Sequence, residues 1–430
     1  MDFSKLIEPD RVHRSVYADP DIFKLEMERI FGRAWLLLGH ESQVKSPGDY
    51  FTTRMGLEPV FVIRKNKSEI GVLVNRCVHR GSMVCPEGRG NTERFVCPYH
   101  GWSYDLDGAL KAVPFASGYD QGKLPAGLKA VPRIAVYRGF IFGSLAASGE
   151  ELIDFLGTAK ASLDDFVDRA PGGELEVAGG VFKHAYNGNW KLMVENHLDG
   201  AHPAWVHASS VAVARGAPEP GAPGKEHYYD IAVRQMRQNG APDSVWEGTG
   251  MWTTPRGHGY MGDYHDDTRL VVGMGNPAFD DYRKILIKEH GDEKTDRILR
   301  VTLWNTILYP NCSFMSQFRQ LRILHPLAVD RSVVYTYSFR MPRAPAQMFR
   351  DTVAFANVVN GTGSWVLTDD LEVYERLQRG LTSGEVDWVF IGRGHGRDVD
   401  EPGGVRRGGT GTSEVYMRAQ FKAWREYMAS

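Results

Sequence analysis

The spacing of apolar positions changes several times along the chain. In "PDIFKLEMERIFGRAWLLLG", Phe23, Leu25, Met27, Ile30 and Phe31 fall near helical spacing until Gly32 interrupts, which predicts an N-terminal amphipathic helix. From about Ser42 to Leu145 the texture becomes short β-branched runs, "PVFVIRK", "IGVLVNRC", "RIAVYRG" and "FIFGSL", punctuated by Gly, Pro, Asn and Asp. That pattern predicts a small all-β domain. "GEELIDFLGTAKASLDDFVDRA" returns to helical period, and "ELEVAGGVFKHAYNGNWKLMVENHLDGAHPAWVHASS" reads as strands passing into a helix, the start of a larger α+β domain. Residues 211–300 mix Gly, Pro, aromatics and charges without clear period, which predicts long loops over a site. Beyond them, "ILYPNCSFMSQFRQLRILHPLAVDRSVVYTYSFRM" predicts a strand pair turning near Asp330. "MFRDTVAFANVVNGTGSWVLTDDLEVYERLQRGL" reads as helix, Gly-rich break, helix, and a last helix follows Ser413 and Glu414. The chain thus divides into an N-terminal helical segment at 1–41 packing on the last domain, a β domain at 42–150 and an α+β domain at 151–430.

Length and composition fit this division. A chain of 430 residues exceeds what one core usually serves, and 42% hydrophobic with 24% charged residues is ordinary for a folded globular protein. With 51 basic against 53 acidic side chains the net charge is -2, which favours neither nucleic acid nor an anionic membrane surface as partner. No stretch approaches the roughly 18 uninterrupted apolar residues of a membrane span, and "MDFSKLIEPDRVHRSVY" does not read as a secretory leader. A cytoplasmic protein is expected. Four cysteines are too few for a disulfide framework at this length, and three of them cluster, as metal-binding cysteines do.

The cluster lies in "CVHRGSMVCPEGRGNTERFVCPYH", a Cys-x-His followed by a Cys-x-x-His. Thiolate and imidazole are donors that hold zinc or iron, so a structural zinc site is one reading. A zinc finger, however, places its histidines on a short helix. Here each of two loops among β-strands supplies one Cys and one His, the arrangement of a [2Fe-2S] centre with two cysteines on one iron and two histidines on the other. Cys85 and Cys312 read as buried bystanders. A second constellation, Asp199-x-x-His202-x4-His207, offers two imidazoles and a carboxylate, the open-sited ligand types of non-haem Fe(II) oxygenases. On a helix, Asp199 and His202 are neighbours at i, i+3, whereas His202 and His207 share a face only if the helix breaks near Pro203.

Through Cys77-Val78-His79-Arg80-Gly81 and Cys97-Pro98-Tyr99-His100-Gly101-Trp102 the chain resembles the Rieske family. Cytochrome-complex Rieske proteins carry an extra cysteine in each loop. Ser82 and Tyr99 stand there instead, so the pattern resembles the oxygenase and ferredoxin type, for which a lower potential is expected. Asn189-Trp190-Lys191, Glu195-Asn196 and the Asp199/His202/His207 set resemble the Rieske non-haem iron ring-hydroxylating oxygenase α subunits. The resemblance runs over essentially the whole chain. It implies an α+β architecture: an all-β Rieske domain before a larger antiparallel-sheet-plus-helices, helix-grip-like catalytic domain. It implies a cluster held by Cys77, His79, Cys97 and His100, and a mononuclear Fe(II) held by His202, His207 and Asp370, with Asp369 in reserve. Asp370 is chosen because Gln378 and then Gly380-Leu381 follow it as in the family. Asn196 is expected beside the iron without ligating it. Ala201 stands where the family often has Tyr, which alters packing and not ligation.

The resemblance further implies a homotrimer, α3 or, with a small β subunit, α3β3. In it Asp199 bridges His202 to a cluster histidine, matching His100, of the neighbouring protomer. O2 is the cosubstrate. No dinucleotide or flavin fingerprint is present, "GRGHGRDVDEPGG" reading as loop, so NAD(P)H acts indirectly through a separate reductase and possibly a ferredoxin. The expected substrate is aromatic and benzoate-like. Trp246, Met251, Trp252 and Tyr260 are candidate pocket walls, Arg256, Arg319 and Arg322 candidate carboxylate clamps, and His258 an ambiguous neighbour. An O- or N-demethylating monooxygenase, a Rieske electron carrier without catalysis and a zinc-binding interaction protein are the alternatives.

Overall fold

The computed structural model describes residues 2–86, 88–220, 227–262, 277–300, 305–361 and 363–429. Two compact units emerge. One is Phe31–Leu152; the other joins Met1–Ile30 to Ile153–Ser430.

In the Phe31–Leu152 unit, β-branched runs pair as a four-stranded antiparallel sheet in the order Ile70–Val74, Glu58–Arg64, Asp49–Met55, Arg89–Asn91. A second sheet pairs Arg133–Tyr137, Phe140–Ser144 and Leu36–His40. This pairing corrects the expected helical segment at 1–41. The helix spans only Pro20–Arg29, capped by Asp19, and "LLLGH" is a strand with all five residues Leu36–His40 buried, paired with Phe140–Ser144. A continuous apolar run carries no period to separate buried strand from helix, so the boundary moves from residue 42 to residue 31.

The larger unit is built on an antiparallel sheet, nine-stranded among the described residues. From one edge its long strands, Glu176–Tyr186, Arg331–Arg340 and Gln320–Ala328, are followed by Cys312–Met315, Asn305–Leu308 and the hairpin His258–Gly262/Gly250–Thr254. The helix Ala346–Asn360 packs on Arg331–Arg340 and buries Met348, Thr352, Phe355 and Val359 among others, and Leu367–Leu381 follows. The expectation of long loops over 211–300 is corrected. The described part holds the helices Ala208–Gly216, His227–Asn239, Asp243–Glu247, Pro277–His290 and Asp292–Leu299 and the hairpin, while 221–226 and 263–276 lie outside the described residues. Helix His227–Asn239 buries Ile231, Ala232, Val233 and Met236 on one face. That face is hard to read because Gln235 and Asn239 are buried with it. No helix among the described residues is long and apolar enough to cross a membrane.

Residues 1–30 pack within the larger unit through a buried polar knot. Glu26, on the same helix face as Ile22 and Phe23, accepts hydrogen bonds from Trp190 Nε1 (2.8 Å), Trp424 Nε1 (2.6 Å) and Lys191 Nζ (2.5 Å). Every group in the knot is buried and every partner is present, which a buried ion pair requires if it is to be tolerated. Burial pulls the Lys191 ammonium below its ordinary value, against the opposing field of Glu26. Glu26 thereby ties the N-terminal helix, the helix Trp190–Asn196 and the C-terminal helix Val415–Ala429 into one core.

Candidate metal centres

The two Cys/His loops fold alike. In each, the N–H of a glycine four residues on donates to the cysteine carbonyl (Gly81 to Cys77 and Gly101 to Cys97, both 3.0 Å). In each, the cysteine N–H donates to the carbonyl one residue further, Ser82 or Trp102, at 2.8 Å. Both glycines have positive φ, 77° and 72°, which explains the residue type at those turns. Buried Asn75 braces the first loop by accepting from the N–H groups of Val84 and Cys85. Cys77 and Cys97 are buried in a core with Phe61, Phe95, Trp102 and Tyr104. His79 and His100 stand side by side, ring centroids 4.6 Å apart, and Trp102 stacks flat on His79.

The donor chemistry fits an iron–sulfur centre. Burial alone would raise the Cys77 thiol, but the Tyr104 hydroxyl at 3.0 Å and the N–H groups of His79 and Arg80 hold it below its usual value. Cys85, with burial alone acting on it, is pushed up to about 12, and burial likewise lifts Cys312 well above its usual value, as expected of non-ligands. His79 Nδ1 is buried with no hydrogen-bond partner, which leaves it open to a metal. The four donors do not close on one point. Among the described residues, the only three metal-capable donors within 4.8 Å of one another are elsewhere, in the larger unit. A single tetrahedral zinc would draw such donors to about 3.4–3.9 Å from each other, whereas a two-iron cluster spreads them.

The trio is His202, His207 and Asp370. The expected helix through Asp199 to a break near Pro203 is corrected: the helix Trp190–Asn196, capped by Asn189, ends well before Pro203, Asp199 and His202 lie in the non-helical stretch after it, and a separate turn of helix, Pro203–Val206, is flanked by the two histidines. Their Nε2 atoms lie 3.8 and 3.6 Å from Asp370 Oδ1, which enters from the first turn of Leu367–Leu381. Donors about 2.1 Å from a shared ion stand about 3.0–3.4 Å apart, so the set is nearly closed around a metal. Burial raises the Asp370 carboxyl above its usual value, opposed by the two histidines and by Asn196 Nδ2, which donates to Oδ1 at 3.3 Å. Eight residues on, Gln378 Oε1 accepts the Asn189 N–H at 2.8 Å, locking the Asp370 helix to the start of the histidine segment.

Asp369 is not gathered with the donors. It meets His207 Nδ1 at 3.2 Å, which fixes the ring tautomer and leaves Nε2 free to ligate. Asp199 Oδ1 caps the Ala201 N–H, and its other oxygen stands 3.8 Å from His202 Nδ1, an atom that is buried and has no hydrogen-bond partner. Both metal sites therefore have donor sets and orienting partners suited to iron.

The family comparisons agree with this geometry. Residues 34–132 match the Rieske [2Fe-2S] domain and residues 173–430 the ring hydroxylating alpha subunit (catalytic domain). The chain belongs to the ring-hydroxylating oxygenase alpha-subunit family. It is 34% identical over 391 residues to the toluate 1,2-dioxygenase subunit alpha of Pseudomonas putida, covering 90% of this chain and 82% of the relative. It is 33% identical over 390 residues to the anthranilate 1,2-dioxygenase large subunit of Acinetobacter baylyi, covering 90% and 80%. The crystal structure of naphthalene 1,2-dioxygenase with indole bound in the active site superposes with a TM-score of 0.82 at 27% identity, over 100% of this chain and 95% of that one. The protein is thus an aromatic ring-hydroxylating dioxygenase alpha subunit, a Rieske non-haem iron oxidoreductase that incorporates O2, with a [2Fe-2S] cluster and a mononuclear iron as its cofactors.

Beside the triad lies a cavity of about 100 Å³, walled by apolar Met261, Phe355, Val359, Val366 and Leu367 and by polar Gln235, Asn239, Asn305, Arg322 and Asn360. Of the expected walls, Trp246 lines it. Met251, Trp252 and Tyr260 do not; the last two stack on each other across the hairpin at 5.2 Å. His258 is structural: Nδ1 accepts the Tyr309 N–H, Nε2 donates to the Phe155 carbonyl, and burial pulls it down to about 4. Residues that the sequence reading passed over are Glu26, Tyr104, Asn360 and the orienting role of Asp369. Glu26 alone left a trace, an acid on the apolar face of an amphipathic helix.

Proposed function

We propose that this subunit hydroxylates a single-ring aromatic acid of the benzoate type. The observation that carries the reading is the His202/His207/Asp370 triad beside a cavity of about 100 Å³, small against the about 300–1,000 Å³ of sites for drug-sized ligands. The relatives that act on toluate and anthranilate, single-ring acids by name, support it.

His202, His207 and Asp370 would hold an iron that supplies O2 activation, and Cys77, His79, Cys97 and His100 would hold the cluster that supplies single electrons. The chain's own side chains do the positioning. Asp369 holds the His207 ring, and Asn196 occupies one lone pair of Asp370 Oδ1. Asp199 is the bridge: its carboxylate can accept an N–H from His202 and from a cluster histidine, His100, of a neighbouring protomer in a homotrimer. Electrons enter from a separate NAD(P)H-dependent reductase, directly or through a ferredoxin.

The test is anaerobic purification, iron and acid-labile sulfide analysis, and turnover under ¹⁸O2 with a surrogate reductase against benzoate, toluates, anthranilate and neutral rings. About three irons and two sulfides per chain with a labelled, hydroxylated acid is the expected result. Two irons and two sulfides with no product, even after Fe(II) reconstitution, would leave an electron carrier. Labelled products from neutral rings alone would overturn the aromatic-acid reading.

A further inference from the structure

Arg322 lies on the strand Gln320–Ala328, is 5% exposed, and lines the cavity beside the metal triad. Its guanidinium is poorly satisfied for so buried a cation. Nε donates to Asn360 Oδ1 at a long 3.4 Å, Nη2 meets only the weakly accepting Met315 sulfur at 3.5 Å, and buried Nη1 has no acceptor. Directly across the sheet on either side are Ser313 and Thr336, whose buried hydroxyls also have no partner. Among the described residues no carboxylate lies within ion-pair distance of Arg322. Burial lowers it to about 10, with Tyr374 and Asp370 opposing, so it remains charged at neutral pH. Asp370 is committed to His202, His207 and Asn196. A buried charge without a counter-ion is costly and calls for an anion.

The other buried arginines differ. Arg319, three residues earlier, spends its donors on Thr352 Oγ1 (2.7 Å), the Gln317 carbonyl (3.2 Å) and the Met348 carbonyl (3.3 Å), and is not a wall of the cavity. Arg169 pairs with Asp165 at 3.1 Å. Arg256 lines a different depression, with Arg406 and Arg418. Of the three candidate clamps, only Arg322 brings unused donors to the triad's cavity. Asn360 pre-orients it: its Nδ2 donates to Gln320 Oε1 at 2.9 Å, which turns its Oδ1 toward Arg322 Nε.

We propose that Arg322, oriented by Asn360, is the anchor that receives the carboxylate of the substrate, setting which edge of the ring meets the metal triad. The fork of Nη1 and Nη2 matches a planar carboxylate, and Phe355 and Val359 wall the same cavity for the ring. The inference rests on the aromatic-acid reading above.

It is tested by calorimetric titration of the holoenzyme and of Arg322→Gln and Arg322→Lys with benzoate and with its neutral isostere benzamide. Arg322→Gln should weaken benzoate about 10- to 150-fold, the loss of a charge-assisted hydrogen-bonded pair, and leave benzamide little changed, with Arg322→Lys in between. Equal losses for both ligands, or none for either, overturn the anchor. Iron and sulfide content report whether each variant is intact. Should Arg322→Gln fail to fold, Arg322→Lys decides alone, through the ratio of benzoate to benzamide affinity. Wild type that binds neutral rings but no aromatic acid overturns the parent reading and the anchor with it. Wild type and Arg322→Gln that bind and hydroxylate benzoate alike overturn the anchor and leave the parent reading standing.

Discussion

Replacing Asp369 separates orientation of a ligand from ligation itself. Asp369 meets His207 Nδ1 at 3.2 Å and is 31% exposed on its side chain. Removing a partner of this kind costs about 10- to 100-fold in metal affinity. The distance is long for a charge-assisted bond and water reaches the carboxylate, so the low end applies: about tenfold, or about 1.4 kcal/mol, for Asp369→Ala. Asp369→Asn keeps an acceptor oxygen and should lose less. Asp370→Ala removes a donor atom and should abolish retention of the mononuclear iron. The assay is iron and acid-labile sulfide content before and after a graded chelator challenge. All three variants should hold the two sulfides of an intact cluster, and chelator resistance should fall in the order wild type, Asp369→Asn, Asp369→Ala, Asp370→Ala. If Asp369→Ala retains iron like wild type while Asp370→Ala loses it, the hydrogen bond does not position His207 and the reasoning fails.

Asp199→Asn should keep both metals while turnover with reductase collapses, measured by metal analysis beside product formation; undiminished turnover would refute the bridging role. Glu195, beneath the Tyr17 hydroxyl and Gln420, is pushed up to about 8 by burial, with Asp199 adding to the rise and Tyr17, Lys191 and Gln420 opposing it. The native state keeps this proton while the unfolded chain, at an ordinary carboxylate value near 4.5, has released it. Stability therefore falls as pH rises between those values, by up to about 1.4 kcal/mol per pH unit. Glu195→Gln should flatten that slope in urea unfolding, and an unchanged slope would count against it. Glu26→Gln should destabilise the larger unit by about 3–5 kcal/mol, because buried Lys191 loses its counter-charge, whereas Glu26→Gln combined with Lys191→Met should recover much of that; calorimetric melting of the single and double variants decides.

The legible parts of this molecule are those where local chemistry dictates residue type. The two cluster loops need a cysteine, a histidine and a glycine of positive φ within six residues, so each loop is a complete statement in sequence. Asp370 was readable for a related reason: Gln378, two turns on along the same helix, carries the tie to Asn189. Periodicity failed where burial was two-sided or mixed. Leu36–His40 is buried throughout and gave no period, and the helices over 208–299 bury polar residues with apolar ones.

By itself, the sequence determined the donor inventory, the two-part organisation and the family, because ligand chemistry and turn geometry act over a few residues. Tertiary structure alone decided how closely His202, His207 and Asp370 approach one another, that Asp369 lies apart from them against His207 Nδ1, that Glu26 knots three helices together, and which of three arginines reaches the cavity. Each of these is a distance between groups far apart in the chain. Such distances are set by packing of the sheet and helices, not by any local preference of the residues involved.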